Sequence, residues 1–198
     1  MNNIKIITSP DVKRKNRVPP GQRLTEDFPV LHYGTVPEMD ITTWKFSITG
    51  LVEDEKVLNY EKFKALPKIK VHADIHCVTG WSKRDTYWEG ISTSVLRKLV
   101  NIKPEARFVL VHGAKGFSTN LSLEDFFADD VVFALKYNDK VITPEHGFPV
   151  RLVVPRLYFW KSAKWVTGVE FLENEKLGFW EMNGYHAHGD PWREERYG

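Results

Sequence analysis

At 198 residues, 42% hydrophobic and 27% charged, the chain is long enough and apolar enough to bury a full core. A net charge of +2 and the lack of a long apolar run give no ground for a nucleic-acid or membrane partner. One cysteine excludes an internal disulfide and fits a reducing compartment, and the first five residues lack a signal-peptide pattern, so a cytoplasmic location is expected.

Residues 1–27 place Lys13, Arg14, Lys15, Arg17 and Arg23 among Pro19, Pro20 and Gly21. No helical or strand period runs through them, and an extended arm draped on the body is expected. Phe28 to Gly34 is a short apolar run ending in His32-Tyr33-Gly34. Trp44 to Ile48 alternates as a half-buried strand stopped by Gly50. Asn59 is placed to cap a short helix from Tyr60 to Leu66, ended by Pro67.

The next stretch, Ala73 to Trp81, holds the lone Cys77. Lys70 to Ile75 reads as a strand, apolar at Val71, Ala73 and Ile75. The run Thr79-Gly80-Trp81-Ser82-Lys83-Arg84 then breaks the alternation, so Cys77 is expected where a strand hands over to a loop. There the thiol is either a small buried hydrophobe or a group facing an open cavity.

Ser92 or Thr93 is expected to cap a helix through Leu99, and Ser122 one reaching Ala128. Strands are expected at Phe108 to Val111, Val131 to Tyr137, Lys140 to Ile142, Pro149 to Pro155 and Val166 to Leu172. Asn138-Asp139 marks a hairpin turn between the second and third of these. The tail, 178–198, is too aromatic to stay loose and is expected to pack across the body. Short strands with a few short helices give an α+β class. With no repeat or linker, a single domain at 28–177 is expected, flanked by the arm and the tail.

Basic and hydrogen-bonding groups gather late in the chain. His146 and Arg151 flank Gly147 and Pro149, and Lys161, Ser162 and Lys164 follow one loop later. An Arg fork with Lys and Ser donors suits a phosphate; Arg151 paired with a carboxylate is the alternative. Nucleotide-binding glycine fingerprints, a G-x-S-x-G elbow and C-x-x-C-H are all absent.

The block His146-Gly-Phe-Pro-Val-Arg-Leu-Val-Val-Pro155, followed by Lys161-Ser-Ala-Lys-Trp165, closely resembles the molybdopterin-binding domain of the sulfite oxidase family. The Cys77 loop and the His32 segment fall in the right order upstream, and the turn at Lys136 to Asp139 fits the same pattern. The tail from Gly184 to Trp192 looks like that of small stand-alone bacterial and archaeal members. The resemblance implies a sulfite oxidase-like molybdenum enzyme carrying out two-electron redox with oxygen-atom transfer on a small-molecule substrate that is sulfoxide-, N-oxide- or sulfite-like. An external electron carrier is implied with it.

The resemblance also implies a role for each matched position. Cys77 gives its thiolate to molybdenum, a soft ligand suited to that metal. His32, Tyr33, His146, Arg151, Ser162, Ala163 and Lys164 hold the molybdopterin, the last three its phosphate end. Val30 stands where sulfite oxidases carry an arginine, which counts against a small dianion, unless Lys83 or Arg84 compensates. Trp81 and the aromatic tail are the alternative, as walls for a neutral organic substrate. Two other functions compete: a zinc site from His76, Cys77, His186 and His188, and a non-catalytic pterin carrier.

Overall fold

The computed structural model describes residues 4–198; the first three residues of the expected arm lie outside them. In chain order the elements are β1 (Lys5–Thr8), β2 (Arg23–Leu24), β3 (Lys45–Gly50), β4 (Lys56–Asn59), α1 (Tyr60–Lys64), β5 (Lys68–His76) and β6 (Trp81–Ser92). They continue with α2 (Leu96–Leu99), β7 (Phe108–Gly113), β8 (Ser118–Ser122), α3 (Leu123–Phe126) and β9 (Val132–Tyr137). The last are β10 (Lys140–Val141), β11 (Arg151–Val153), β12 (Val166–Leu172) and α4 (Phe179–Met182). Seven strands form one sheet in the order β1-β5-β6-β9-β10, with β11 also on β9 and β2 also on β6. The other five form a second sheet, β4-β3-β12-β7-β8. The architecture is the expected α+β, mixed sheets with few short helices.

Residue alternation on β9 shows how the core is divided. Phe133 and Leu135 point into a cluster with Phe46, Phe63 and Phe171, which joins the two sheets. Val132 and Ala134 point the other way, into a cluster with Ile75, Cys77, Trp81, Trp88 and Phe159. A strand buried on both faces needs apolar residues at every position, and β9 has them through Leu135. The second cluster therefore places Cys77 on the face of the large sheet turned away from the small one.

Local signals set the helix starts. Asn59 accepts from the Lys62 N–H at 2.9 Å and opens α1. Ser122 accepts from the Asp125 N–H at 3.0 Å and opens α3. Asn138 and Asp139, both at positive φ, make the turn between β9 and β10.

Two expectations needed correction. The arm is not merely draped on the body: β1 pairs in parallel with β5 and β2 with β6. The buried Asp74 anchors it, accepting two bonds from Arg17, at 2.8 and 2.6 Å. The loop expected after Cys77 is only a tight turn, and Trp81 to Ser92 is the longest strand of the fold. Arg84 and Asp85 are exposed, and Asp85 adopts a positive φ, which hides the strand's alternation in the sequence.

The tail contacts the body through His188: its Nε2 lies 3.5 Å from Asp125 and its Nδ1 2.8 Å from Glu195. Its contact with Asp125, helped by Glu195 and opposed by burial, raises its pKa from 6.5 to about 9. A raised folded-state value means the stabilisation is full below about pH 6.5 and fades as pH climbs through about 9. Melting temperature should therefore fall across that window, and the fall should be shallower in His188→Gln. An identical slope in both proteins would contradict the assignment.

Candidate active site

Cys77 directly follows β5 and opens the four-residue turn to β6, which fixes it from its backbone. The Cys77 N–H donates to the Trp81 carbonyl at 2.8 Å, and the Gly80 N–H donates back to the Cys77 carbonyl at 3.0 Å. Gln22 of the arm donates to that same carbonyl at 3.1 Å. The tail reaches the turn as well, because Arg196 donates to the Val78 carbonyl. Arm and tail thus converge on the cysteine from opposite ends of the chain.

Cys77 is 7% exposed, and it lines a cavity of about 280 Å³. Burial pushes the thiol pKa up, while hydrogen bonds from Thr79 and the charges of Arg196 and Lys164 pull it down. A bound cation would deprotonate the thiol outright.

The same cavity gathers His32, Tyr33, Arg151, Ser162, Ala163 and Lys164. His146 stands behind them, outside the lining. Its ring stacks on Phe28 with centroids 3.9 Å apart, and its carbonyl accepts from Arg151 Nη1 at 2.9 Å. Gly147 explains the tight block around it: its φ is +113°, and a Cβ there would lie 3.0 Å from the Arg151 Cβ and 3.2 Å from the Lys164 Cα. His32 and Tyr33 are exposed at the cavity edge.

Arg151 is the most telling group. It is 1% exposed, at the start of β11. Its Nη2 donates to the Ser162 carbonyl at 3.0 Å, and its Nε has no partner. The alternative of a carboxylate pair is not met: among the described residues no acid bonds to it. Burial alone lowers its pKa to about 9. Phe159 lies under the guanidinium at 4.3 Å, which offsets a little of that cost. Lys164 is pulled down to about 7 by burial and by repulsion from Arg151. Its Nζ donates to the carbonyls of Leu31 and Glu145, at 2.7 and 2.6 Å. A buried guanidinium and a half-buried ammonium line one cavity, and among the described residues neither is in a salt bridge with a carboxylate, which leaves room for an anion.

These observations test whether molybdopterin fits. The phosphate end of the pterin would answer the orphaned Arg151 and the depressed Lys164. The sulfur at the other part of the lining supplies the soft donor for the metal. The residues present fit the group.

Several expectations changed. Lys161, grouped by sequence with the phosphate donors, points away, to Glu181 Oε1 at 2.7 Å and to Asn120. Lys83 donates to the Glu26 carbonyl and Arg84 is exposed; neither lines the cavity. The zinc set does not assemble: among the described residues no three His, Cys, Asp or Glu side chains are grouped to hold a metal. His76 is buried against Ser82, while His186 and His188 face Glu195. Trp81, Trp180 and Tyr185 do wall the cavity, joined by Trp160 and Phe117, which the sequence did not single out. Trp160 adjoins the Lys161 motif, and that adjacency was the only available signal.

A family model described as oxidoreductase molybdopterin binding domain matches residues 33–180. The chain is 46% identical to the uncharacterized oxidoreductase YuiH of Bacillus subtilis, over 93% of each chain. It is 26% identical to the protein-methionine-sulfoxide reductase catalytic subunit MsrP of Campylobacter jejuni, over 75% of this chain and 57% of that one. Among solved structures, the sulfane dehydrogenase SoxCD of Paracoccus pantotrophus superposes with a TM-score of 0.66 at 24% identity, covering 72% of this chain and 41% of that one. The chain belongs to the oxidoreductase molybdopterin binding domain family, and its cofactor is molybdopterin with molybdenum.

Proposed function

We propose that this oxidoreductase takes an oxygen atom from a small neutral sulfoxide or N-oxide, or returns one to the corresponding sulfide or amine. When bound, the cofactor supplies two-electron redox at molybdenum with oxygen-atom transfer. Cys77 is the protein's ligand to the metal, Arg151, Ser162, Ala163 and Lys164 hold the phosphate end, and His32 and Tyr33 contact the pterin at the cavity edge. His146 acts from behind, steadying Arg151 through its carbonyl. An external carrier exchanges the electrons.

The observation that carries this reading is the buried Arg151, whose Nε lacks a partner in the cavity that Cys77 lines. The preference for a neutral substrate rests on the walls. Trp81, Trp160, Trp180 and Tyr185 present flat apolar faces, and the cavity's two cations are those assigned to the phosphate. The relative MsrP is named for reduction of protein methionine sulfoxide, which is in keeping with that preference.

A dye-coupled screen of the molybdenum-loaded protein tests it. Sulfoxides or amine N-oxides should reoxidise reduced viologen at least about tenfold faster than sulfite reduces ferricyanide, the discrimination expected when a charged ligand lacks its cation. Turnover of sulfite alone would overturn the neutral-substrate reading.

A further inference from the structure

Thr79 sits two residues beyond Cys77, exposed and on the cavity wall. Its hydroxyl donates to Cys77 Sγ at 3.2 Å. Among the described residues no other side chain hydrogen-bonds that sulfur. The turn around it is braced by the arm through Gln22 and by the tail through Arg196. Threonine is stiff at χ1, so a braced backbone also fixes where its hydroxyl points.

A thiolate that accepts a hydrogen bond gives less electron density to its metal. Less donation favours the reduced metal over the oxidised one and raises the reduction potential. Hydrogen bonds to ligating sulfur are a general means of tuning metal–thiolate sites.

We propose that Thr79 is a positioning residue for the sulfur–metal bond, its hydroxyl holding the Cys77 sulfur in place and keeping the metal's potential high. The proposal rests on the reading of Cys77 as the metal ligand. It assigns Thr79 no contact with the reacting atoms.

Thr79→Val keeps the shape and removes the hydroxyl; Thr79→Ser keeps the hydroxyl. Each is loaded and measured beside the parent for molybdenum per chain, midpoint potential by optical titration, and the sulfur-to-metal absorption band. In Thr79→Val the ratio of reduced to oxidised metal at a fixed solution potential should drop about tenfold, or about 59 mV for a one-electron step. Its absorption band should move to longer wavelength. Thr79→Ser should restore both towards the parent.

A loaded Thr79→Val with the parent's potential and band would overturn the proposal. Failure of Thr79→Val to load, with Thr79→Ser loading normally, would support it, because the hydroxyl is then what the sulfur needs. Failure of both to load would overturn it in favour of the turn's shape. A parent chain without molybdenum would defeat the Cys77 reading itself, whereas a loaded parent beside an unshifted Thr79→Val defeats this proposal alone.

Discussion

Lys161→Met should lower the free energy of unfolding by about 3–5 kcal/mol, the cost of stranding one half of a buried ion pair. Lys161 is fully buried, and its ammonium donates to Glu181 Oε1 at 2.7 Å, Asn120 O at 2.8 Å and Asn120 Oδ1 at 2.9 Å, and to the Ala187 carbonyl. Burial still pulls its pKa down, against the pull of Glu181. Methionine fills the stem's volume but leaves the Glu181 carboxylate with only Thr119 and Trp160 as donors, at 3.1 and 3.0 Å. Since small domains are stable by about 5–15 kcal/mol, a loss of this size is a large share of the total. Urea unfolding measures it directly; a change below about 1 kcal/mol would show the pair to be dispensable. Replacing both partners, Lys161→Met with Glu181→Leu, should cost much less than Lys161→Met alone, because no charge is then left buried.

This pair also bears on function. Glu181 lies on α4 between Trp180 and the segment leading to Tyr185, two residues of the cavity wall. The single variant should therefore loosen the wall as well as the fold. Lys161 adjoins Ser162, so the anchor of the tail and the proposed phosphate site share one turn of chain.

The second large effect is on turnover. Cys77→Ser should cut dye-coupled activity by at least about 100-fold, beyond the 10–100-fold typical of losing a group that merely supports a metal ligand. Serine is close in shape, and the turn's backbone bonds do not involve the side chain, so with the cofactor absent from both proteins the melting temperature of Cys77→Ser should stay near that of the parent. Full activity in Cys77→Ser would remove the sulfur from the mechanism.

Much of this was legible from local patterns. The His146 to Arg151 block could be read because Gly147 and Pro149 shape a turn within a few residues, and that turn delivers Arg151 to the cavity. Asn59 and Ser122 announced their helices for the same reason: a cap acts on a neighbour three residues away. What stayed hidden depended on partners far along the chain. Arg17 fastens the arm to Asp74, 57 residues on, and nothing near Arg17 says so. Lys161 looked like a phosphate donor until Glu181 and Asn120 were seen beside it. Arg151 was ambiguous because only the fold shows that no carboxylate reaches it. The strand β6 was missed because Lys83, Arg84 and Asp85 break its apolar alternation where β5 and β6 meet solvent.

The most direct test is metal analysis of the chain purified from a host that makes molybdopterin. The parent should carry about one molybdenum per chain and Cys77→Ser almost none, since a soft thiolate is the protein's sole proposed bond to the metal. A parent free of molybdenum, or a Cys77→Ser protein that retains the full amount, would contradict that role for the sulfur.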